Sequence, residues 1–503
     1  MARSQNVLFI LIDQLRADLL HGVLADHVDL PNLRALMAEA VTFRRHYSVV
    51  NPCGPSRASI LTGQYAKNHR SVRNGTPLRH DTPNLAIEAR KAGYQPLLFG
   101  YTDTTLDPRM HHPSDPAMHS YEQPMPGFDE IVEMRSGDSY PWRAYLAGKG
   151  YDLPDYDRFY VPNAAQDQPR TLTDPAFYKA EDSDTAFLTD RCLDHLRVQQ
   201  GQSWFTHLTY IRPHPPLVAP TPYNRMYDPA NLPLPRQSGD APHPFHEISK
   251  QRVTPRDFVQ GFDDLEATEE TIQSLRAIYL GLASEVDHHI GRVIRYLKET
   301  GQYDDTLLIV GADHGEMLGD HNSWGKMTFY DAAYHVPLII RDPRNTAQHG
   351  NSVSAFTESV DVMPTLLDWI GEPTPTSVNG HSLMPFLQGE NPKGWRGESY
   401  SDLDFGDPLT LTIWQNELGL SEAEASMSIL RTDRLTLVHF AGNLPPVLFD
   451  HQAEGELRNV AADPKYASDL LAMTQKLLSH RMRHPDTTLS KTMITDAGPV
   501  TGR

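Results

Sequence analysis

The strongest constraint on the fold is a repeated texture. Short, unbroken apolar runs rich in branched residues alternate with segments whose apolar residues recur every three or four positions. The runs are "VLFILI" from Val7 to Ile12, "PLLFGY" ending at Tyr101, "WFTHLTYI" ending at Ile211, "TLLIVGA" ending at Ala312 and "PLIIRD" ending at Asp342. Such runs suit strands buried on both faces of a parallel sheet, where neither face can carry polar side chains. The clearest helical pattern covers 271–300, with Ile272, Leu275, Ile278, Leu282, Val286, Ile290, Val293 and Leu297 on one stripe. Segments 184–198 and 362–370 read the same way. Strands alternating with helices predict an α/β fold, a large and mostly parallel sheet with helices on both faces.

Past about residue 380 the texture changes. "SILRTDRLTLVHF" and "PPVLFD" read as antiparallel strands turning at 432–434, and "YASDLLAMTQKLLSHRMR" as an amphipathic helix. With 503 residues available, this predicts two units: a main α/β domain over 1–380, and a smaller α+β subdomain over 381–503 that ends in an arm. An arm of that kind needs a neighbour to order it, so a homo-oligomer, dimer or tetramer, is expected. The Pro-, Asp-, His- and Tyr-rich stretch 110–169 reads as surface loops near a pocket mouth.

Charge and cysteine content narrow the partners. A net charge of -19 repels nucleic acid and anionic membrane, so any anionic ligand must be drawn by local positive charge. Two cysteines, Cys53 and Cys192, form no disulfide framework, and the first apolar run is too short for a signal-peptide core or a membrane span. A cytoplasmic protein is expected. Cys192 falls inside an amphipathic helix and reads as core. The adjacent pairs His111/His112 and His288/His289 point to different faces and read as solvated.

Ligands of open α/β sheets bind beyond the carboxyl ends of the strands. Asp13 and Gln14 follow the first apolar run directly, and Asp313 and His314 follow "TLLIVGA". A carboxylate at a buried strand end needs a counter-charge, and a divalent cation supplies one; capping of a local turn by either aspartate is the simpler alternative. Between the pairs in sequence lies "NPCGPSRASILTGQY" (51–65), where Ser56 reads as the N-cap of a helix and Gly63 as its end. A helix start favours an anion.

"CGPSRASILTG" resembles the sulfatase signature. "DQLRAD", "TPNLAIEARKAGY", "RPHPP", "DHGEMLGDH" and the Gly-Lys pair ending at Lys326 are similar to the same family, in its arylsulfatase and phosphonate monoester hydrolase branch of the alkaline-phosphatase-like superfamily. The resemblance runs from Asn6 to about Asp450. It implies that a formylglycine-generating enzyme converts Cys53 to formylglycine, whose hydrate attacks the sulfur or phosphorus of a small anionic ester. It further implies a metal held by Asp13, Gln14, Asp313, His314 and the residue at 53, with Arg57 and Lys326 matching the charge of the transferring group. His214, in "RPHPP", is implied as the acid that protonates the leaving oxygen.

The branch shows Tyr and Thr after the run "PLLFGY"; here Tyr101 matches, but Asp103 stands where threonine is expected. It reads either as a base for the second diol hydroxyl or as the partner of a nearby cation. Its charge should weaken dianions against monoanions. Oxygen ligands favour calcium and the His314 nitrogen favours manganese, iron or zinc; manganese is the leading expectation. The activity expected first is arylsulfatase-type hydrolysis, with phosphonate monoesters and phosphodiesters as side substrates. The alternatives are a dedicated phosphonate monoester hydrolase or phosphodiesterase, and a non-catalytic anion- or metal-binding protein with Cys53 unmodified.

Overall fold

The computed structural model describes residues 5–135, 139–199, 201–237, 239, 243–496 and 498–501. Eight strands form the main sheet: β1 (Asn6–Ile12), β2 (Val41–Tyr47), β3 (Pro96–Gly100), β4 (Asp129–Glu133), β5 (Phe205–Tyr210), β6 (Thr306–Ala312), β7 (Leu338–Arg341) and β8 (Ser352–Glu358). Their order is β4-β3-β5-β1-β6-β7-β2-β8. β1 lies at the centre with every residue buried, as its unbroken apolar run requires. It runs parallel to β5 and β6, with Ile12 level with Tyr210 on one side and Ala312 on the other. That register brings the residues after β1, β5 and β6 out at one sheet edge.

Four helices define the layers on the two faces: α1 (Cys53–Thr62), α2 (Asp184–Val198), α3 (Glu269–Glu299) and α4 (Val362–Ile370). Leu8, Ile10 and Ile12 pack with Leu193 and Leu196 of α2 and Ile278, Val286 and Ile290 of α3. Val7, Phe9 and Leu11 face the other way, towards Ile60 and Leu61 of α1 and Leu366 of α4. Each of these strand side chains contributes roughly 1.5–3 kcal/mol by leaving water. The α/β sheet covered on both faces is therefore as predicted, and Cys192 is a core residue of α2.

Several local expectations differ. β7 is antiparallel to both β6 and β2. No helix returns the chain across the sheet after β6, so segment 313–337 stays at the site edge and the next strand must run downwards. Within 110–169 lie the edge strand β4 and a helix, Tyr140–Gly148, besides loops; only one β4 residue is fully buried, so it carries no apolar run. α1 begins at Cys53 after Pro52, not at Ser56, whose hydroxyl donates to the Asp313 carbonyl at 2.6 Å. Gly63 ends α1 in the left-handed region, as expected. His288 is exposed, but His289 is buried within α3, correcting its reading as solvated.

The C-terminal part holds an antiparallel sheet of β9 (Ser399–Asp404), β10 (Ser426–Arg431), β11 (Leu435–Phe440) and β12 (Val447–Asp450), in the order β12-β11-β10-β9. One face, with Leu430, Leu437 and Leu448, packs on Met473 and Leu477 of α5 (Ala467–Arg483). The other, with Met427, Ile429 and Phe449, packs on Phe329, Tyr330 and Tyr334 of the main body. No helix of the described residues is long and apolar enough to cross a membrane.

Candidate active site

Asp13 leaves β1 and Asp313 leaves β6 at the same edge, and both side chains are buried. The first turn of α1 is set over them by hydrogen bonds from its own residues. Arg57 donates through Nε to Asp313 Oδ2 at 3.0 Å and through Nη2 to Asp13 Oδ2 at 3.1 Å. Two more donors go to the Tyr101 carbonyl at 3.1 Å and the Tyr101 hydroxyl at 3.0 Å, and the guanidinium lies 4.0 Å from the Tyr101 ring centroid. The Tyr101 hydroxyl in turn donates to Asp13 Oδ2. Each of the three Arg57 nitrogens thus binds a carboxylate or the end of β3.

This packing fixes Cys53 in the middle. Its Sγ lies 3.1 Å from His314 Nε2, 3.1 Å from Lys326 Nζ and 3.8 Å from Asp13 Oδ1. Lys326 Nζ also donates to Gln14 Oε1 at 2.8 Å. His314 Nδ1 faces the Gly315 carbonyl at 3.1 Å, which can only accept, so Nδ1 carries the proton and Nε2 presents its lone pair to the centre. Ligand atoms of Asp13, Cys53, Asp313 and His314 all lie within 4.8 Å of one another. Buried carboxylates with one neutral imidazole are a donor set that fits a divalent cation such as manganese.

Titration follows from this crowding. Burial raises the Asp313 carboxyl, and the neighbouring Asp13 charge raises it further. Burial acts the same way on Asp13, but His214, Lys326 and Arg57 outweigh it and hold that group well below the usual carboxylate range. The Cys53 thiol is pushed far up by burial and by Asp13. Lys326 stays above its ordinary value, against the cost of burial, because Cys53, Asp13 and Asp313 face it.

The wall opposite comes from the end of β3. Gly100 has φ +111°, and a Cβ there would lie 2.6 Å from the Thr209 carbonyl and overlap its hydroxyl, so glycine lets β3 and β5 close against each other before the chain turns into the site. Asp103 follows with φ +48° and a side chain only 5% exposed, its Oδ2 3.9 Å from Arg57 Nε. Burial pushes its carboxyl up to about 8 against the pull of Arg57. His214 is half-buried after β5; Nδ1 donates to the Pro215 carbonyl at 2.6 Å, leaving Nε2 open. Burial and Lys326 lower it to about 4, so its resting form is neutral.

All ten residues singled out in the sequence therefore converge on one centre. Two neighbours escaped notice. Asn74 accepts the Gly54 backbone N–H through Oδ1 at 2.9 Å and so fixes the start of α1, and a Cβ on Gly54 would lie 2.9 Å from that same oxygen. Glu316 accepts from Gln14 Nε2 and, at 2.6 Å, from the Gly325 N–H, tying the Gln14 amide to the loop that carries Lys326. Glu316 lies inside "DHGEMLGDH" and was there to be read; Asn74 sits in a loop with no periodic signal.

Comparison with known proteins agrees with this geometry. The Sulfatase family model matches residues 5–372, and that of the N-sulphoglucosamine sulphohydrolase C-terminal region matches 319–483. The multifunctional alkaline phosphatase superfamily protein PehA of Trinickia caryophylli is 39% identical over 502 residues, covering 97% of each chain. An arylsulfatase of Clostridium perfringens is 29% identical, covering 80% of this chain and 82% of its own. The solved structure of the phosphonate monoester hydrolase SpPMH from Silicibacter pomeroyi superposes with a TM-score of 0.98 at 62% identity and covers 99% of both chains. The protein belongs to the sulfatase family of the alkaline phosphatase superfamily and is a hydrolase acting on ester bonds.

Proposed function

We propose that the protein hydrolyses monoanionic esters, phosphonate monoesters and phosphodiesters first and aryl sulfates second, through a formylglycine made from Cys53. Placing phosphonate ahead of sulfate reverses the order expected from sequence. Its support is the 62% identity to a phosphonate monoester hydrolase, together with Tyr101 in the position of that branch. When ionised, the buried Asp103 favours a monoanion over a dianion.

The observation that carries the reading is the setting of Cys53 Sγ, against His314 Nε2 and Lys326 Nζ and over two buried carboxylates. Sγ stands in for a formylglycine oxygen. A plain thiol there is pushed up in pKa, the opposite of what a cysteine nucleophile needs. Asp13, Gln14, Asp313 and His314 would hold a divalent cation, manganese by donor type, which activates an oxygen nucleophile and polarises the ester. Lys326 offers its ammonium to the transferring group. Burial and the positive charge of Lys326 hold the His214 pKa down; once the substrate anion offsets that charge, Nε2 takes up a proton from solvent and gives it to the departing oxygen. Arg57 and Tyr101 keep the two carboxylates in place.

Maturation by a formylglycine-generating enzyme is part of the proposal, as is self-association. Met493, Ile494 and Val500 are exposed on a terminal hairpin of strands Thr492–Thr495 and Gly498–Thr501, and Leu478 and Met482 are exposed on α5, an apolar surface suited to a second copy. Sedimentation as a monomer at micromolar concentration would remove that part. The chemistry is tested by the mass of the peptide spanning Cys53 in active enzyme. The aldehyde or its hydrate is expected, and an unaltered thiol in fully active protein overturns the reading.

A further inference from the structure

His214 sits on the loop after β5, and the side chain that shapes this loop is Arg212. It is 1% exposed. Nε donates to Asp184 Oδ2 at 2.9 Å, and Nη1 donates to two carbonyls of the same turn, His214 O at 2.9 Å and Pro216 O at 3.1 Å. The guanidinium lies 4.7 Å from the Tyr160 ring centroid. Asp184 is the first residue of α2, itself 2% exposed, and its other oxygen accepts from the Thr185 N–H at 2.7 Å. A buried ion pair adds little stability of its own, yet losing one partner is severe, which suits it to fixing geometry. The imidazole is restrained from within the turn as well, since the His214 N–H donates to Ile211 O and Nδ1 donates to Pro215 O.

We propose that Arg212, anchored on Asp184 at the start of α2, is the positioning residue for His214, holding the turn so that the imidazole stays beside Lys326 and Asp13. The inference rests on the assignment of His214 as leaving-group acid. A guanidinium is needed because it grips an anion and two carbonyls in one plane, whereas a lysine ammonium lacks that rigid fork.

The test is the dependence of kcat/KM on leaving group, for aryl phosphonate monoesters whose phenols range from nitrophenol to unsubstituted phenol. A misplaced acid matters most where the leaving oxygen is most basic. Arg212→Lys is expected to lose about tenfold or more for the phenyl ester and little for the nitrophenyl ester, approaching the pattern of His214→Ala. Asp184→Asn keeps the side-chain volume and removes the anchor charge, so it gives a second measurement if Arg212→Lys folds poorly. If His214→Ala slows every ester by the same factor, the acid assignment falls. If His214→Ala is steep while Arg212→Lys and Asp184→Asn are uniform or silent, Arg212 is only structural and the proposal is overturned.

Discussion

Replacing Asp103 by asparagine should change which charge state of substrate the enzyme accepts. The side chain is 5% exposed and lies 3.9 Å from Arg57, so its field reaches the seat with little screening. At an effective dielectric constant of about 20, one added unit of negative charge roughly 6 Å from a carboxylate costs about 3 kcal/mol, on the order of a hundredfold in rate. Burial raises this carboxyl to about 8, so it is neutral below that pH and charged above it. A phosphate monoester carries its second charge above about pH 6, whereas a sulfate ester stays monoanionic. The wild-type preference for 4-nitrophenyl sulfate over 4-nitrophenyl phosphate should therefore widen as pH rises through the Asp103 titration. In Asp103→Asn the ratio should stay flat, with phosphate regaining about ten- to a hundredfold in relative kcat/KM at the alkaline end. A bound cation lowers the titration but leaves the carboxyl ionised at the alkaline end. A wild-type ratio independent of pH, matched by the variant, would refute the electrostatic reasoning.

Three further outcomes follow from the same geometry. Chelation should lower the thermal midpoint and readded manganese should restore it, since a ligand at about a hundred times its Kd stabilises by about 2.7 kcal/mol; an Asp13→Asn variant should show no such shift by calorimetry. Arg57→Met strands Asp13 and Asp313 as buried charges, so metal-free protein should lose about 3–5 kcal/mol in urea denaturation, partly recovered with manganese. Gly100→Ala forces a Cβ onto Thr209 from a left-handed backbone, and its denaturation midpoint should drop by the equivalent of at least about 2 kcal/mol.

What the sequence disclosed followed burial. β1 and β6 are buried throughout, so their apolar runs stood out, and the polar residues that end them, Asp13, Gln14, Asp313 and His314, were conspicuous by contrast. β4 is an edge strand with mixed exposure and left no such run. The direction of β7 depends on where segment 313–337 travels, which local pattern does not encode. Ser56 looked like a cap because serines usually cap, but its hydroxyl is drawn to the Asp313 carbonyl, a partner 257 positions away. Asn74 was missed for a like reason, since its role depends on meeting Gly54 across the fold. His289 read as solvated because adjacent histidines must face apart, yet α3 is enclosed enough to bury one of the two.

The structure also alters what Arg57 can do. The sequence pattern places it with Lys326 against the transferring group; its bonds to Asp13, Asp313 and Tyr101 use four of its five N–H donors and leave one on Nη1 for that role. Asp13 and Asp313 then balance Arg57 and Lys326, with Asp103 neutral below its titration near 8. In a chain of net charge -19, a neutral seat cannot draw an anion. A divalent cation among the two aspartates and His314 would tip the balance to positive. On the proposed reading, loading the cation would govern capture of the ester as well as its cleavage, and metal-free protein should bind the ester weakly in a calorimetric titration.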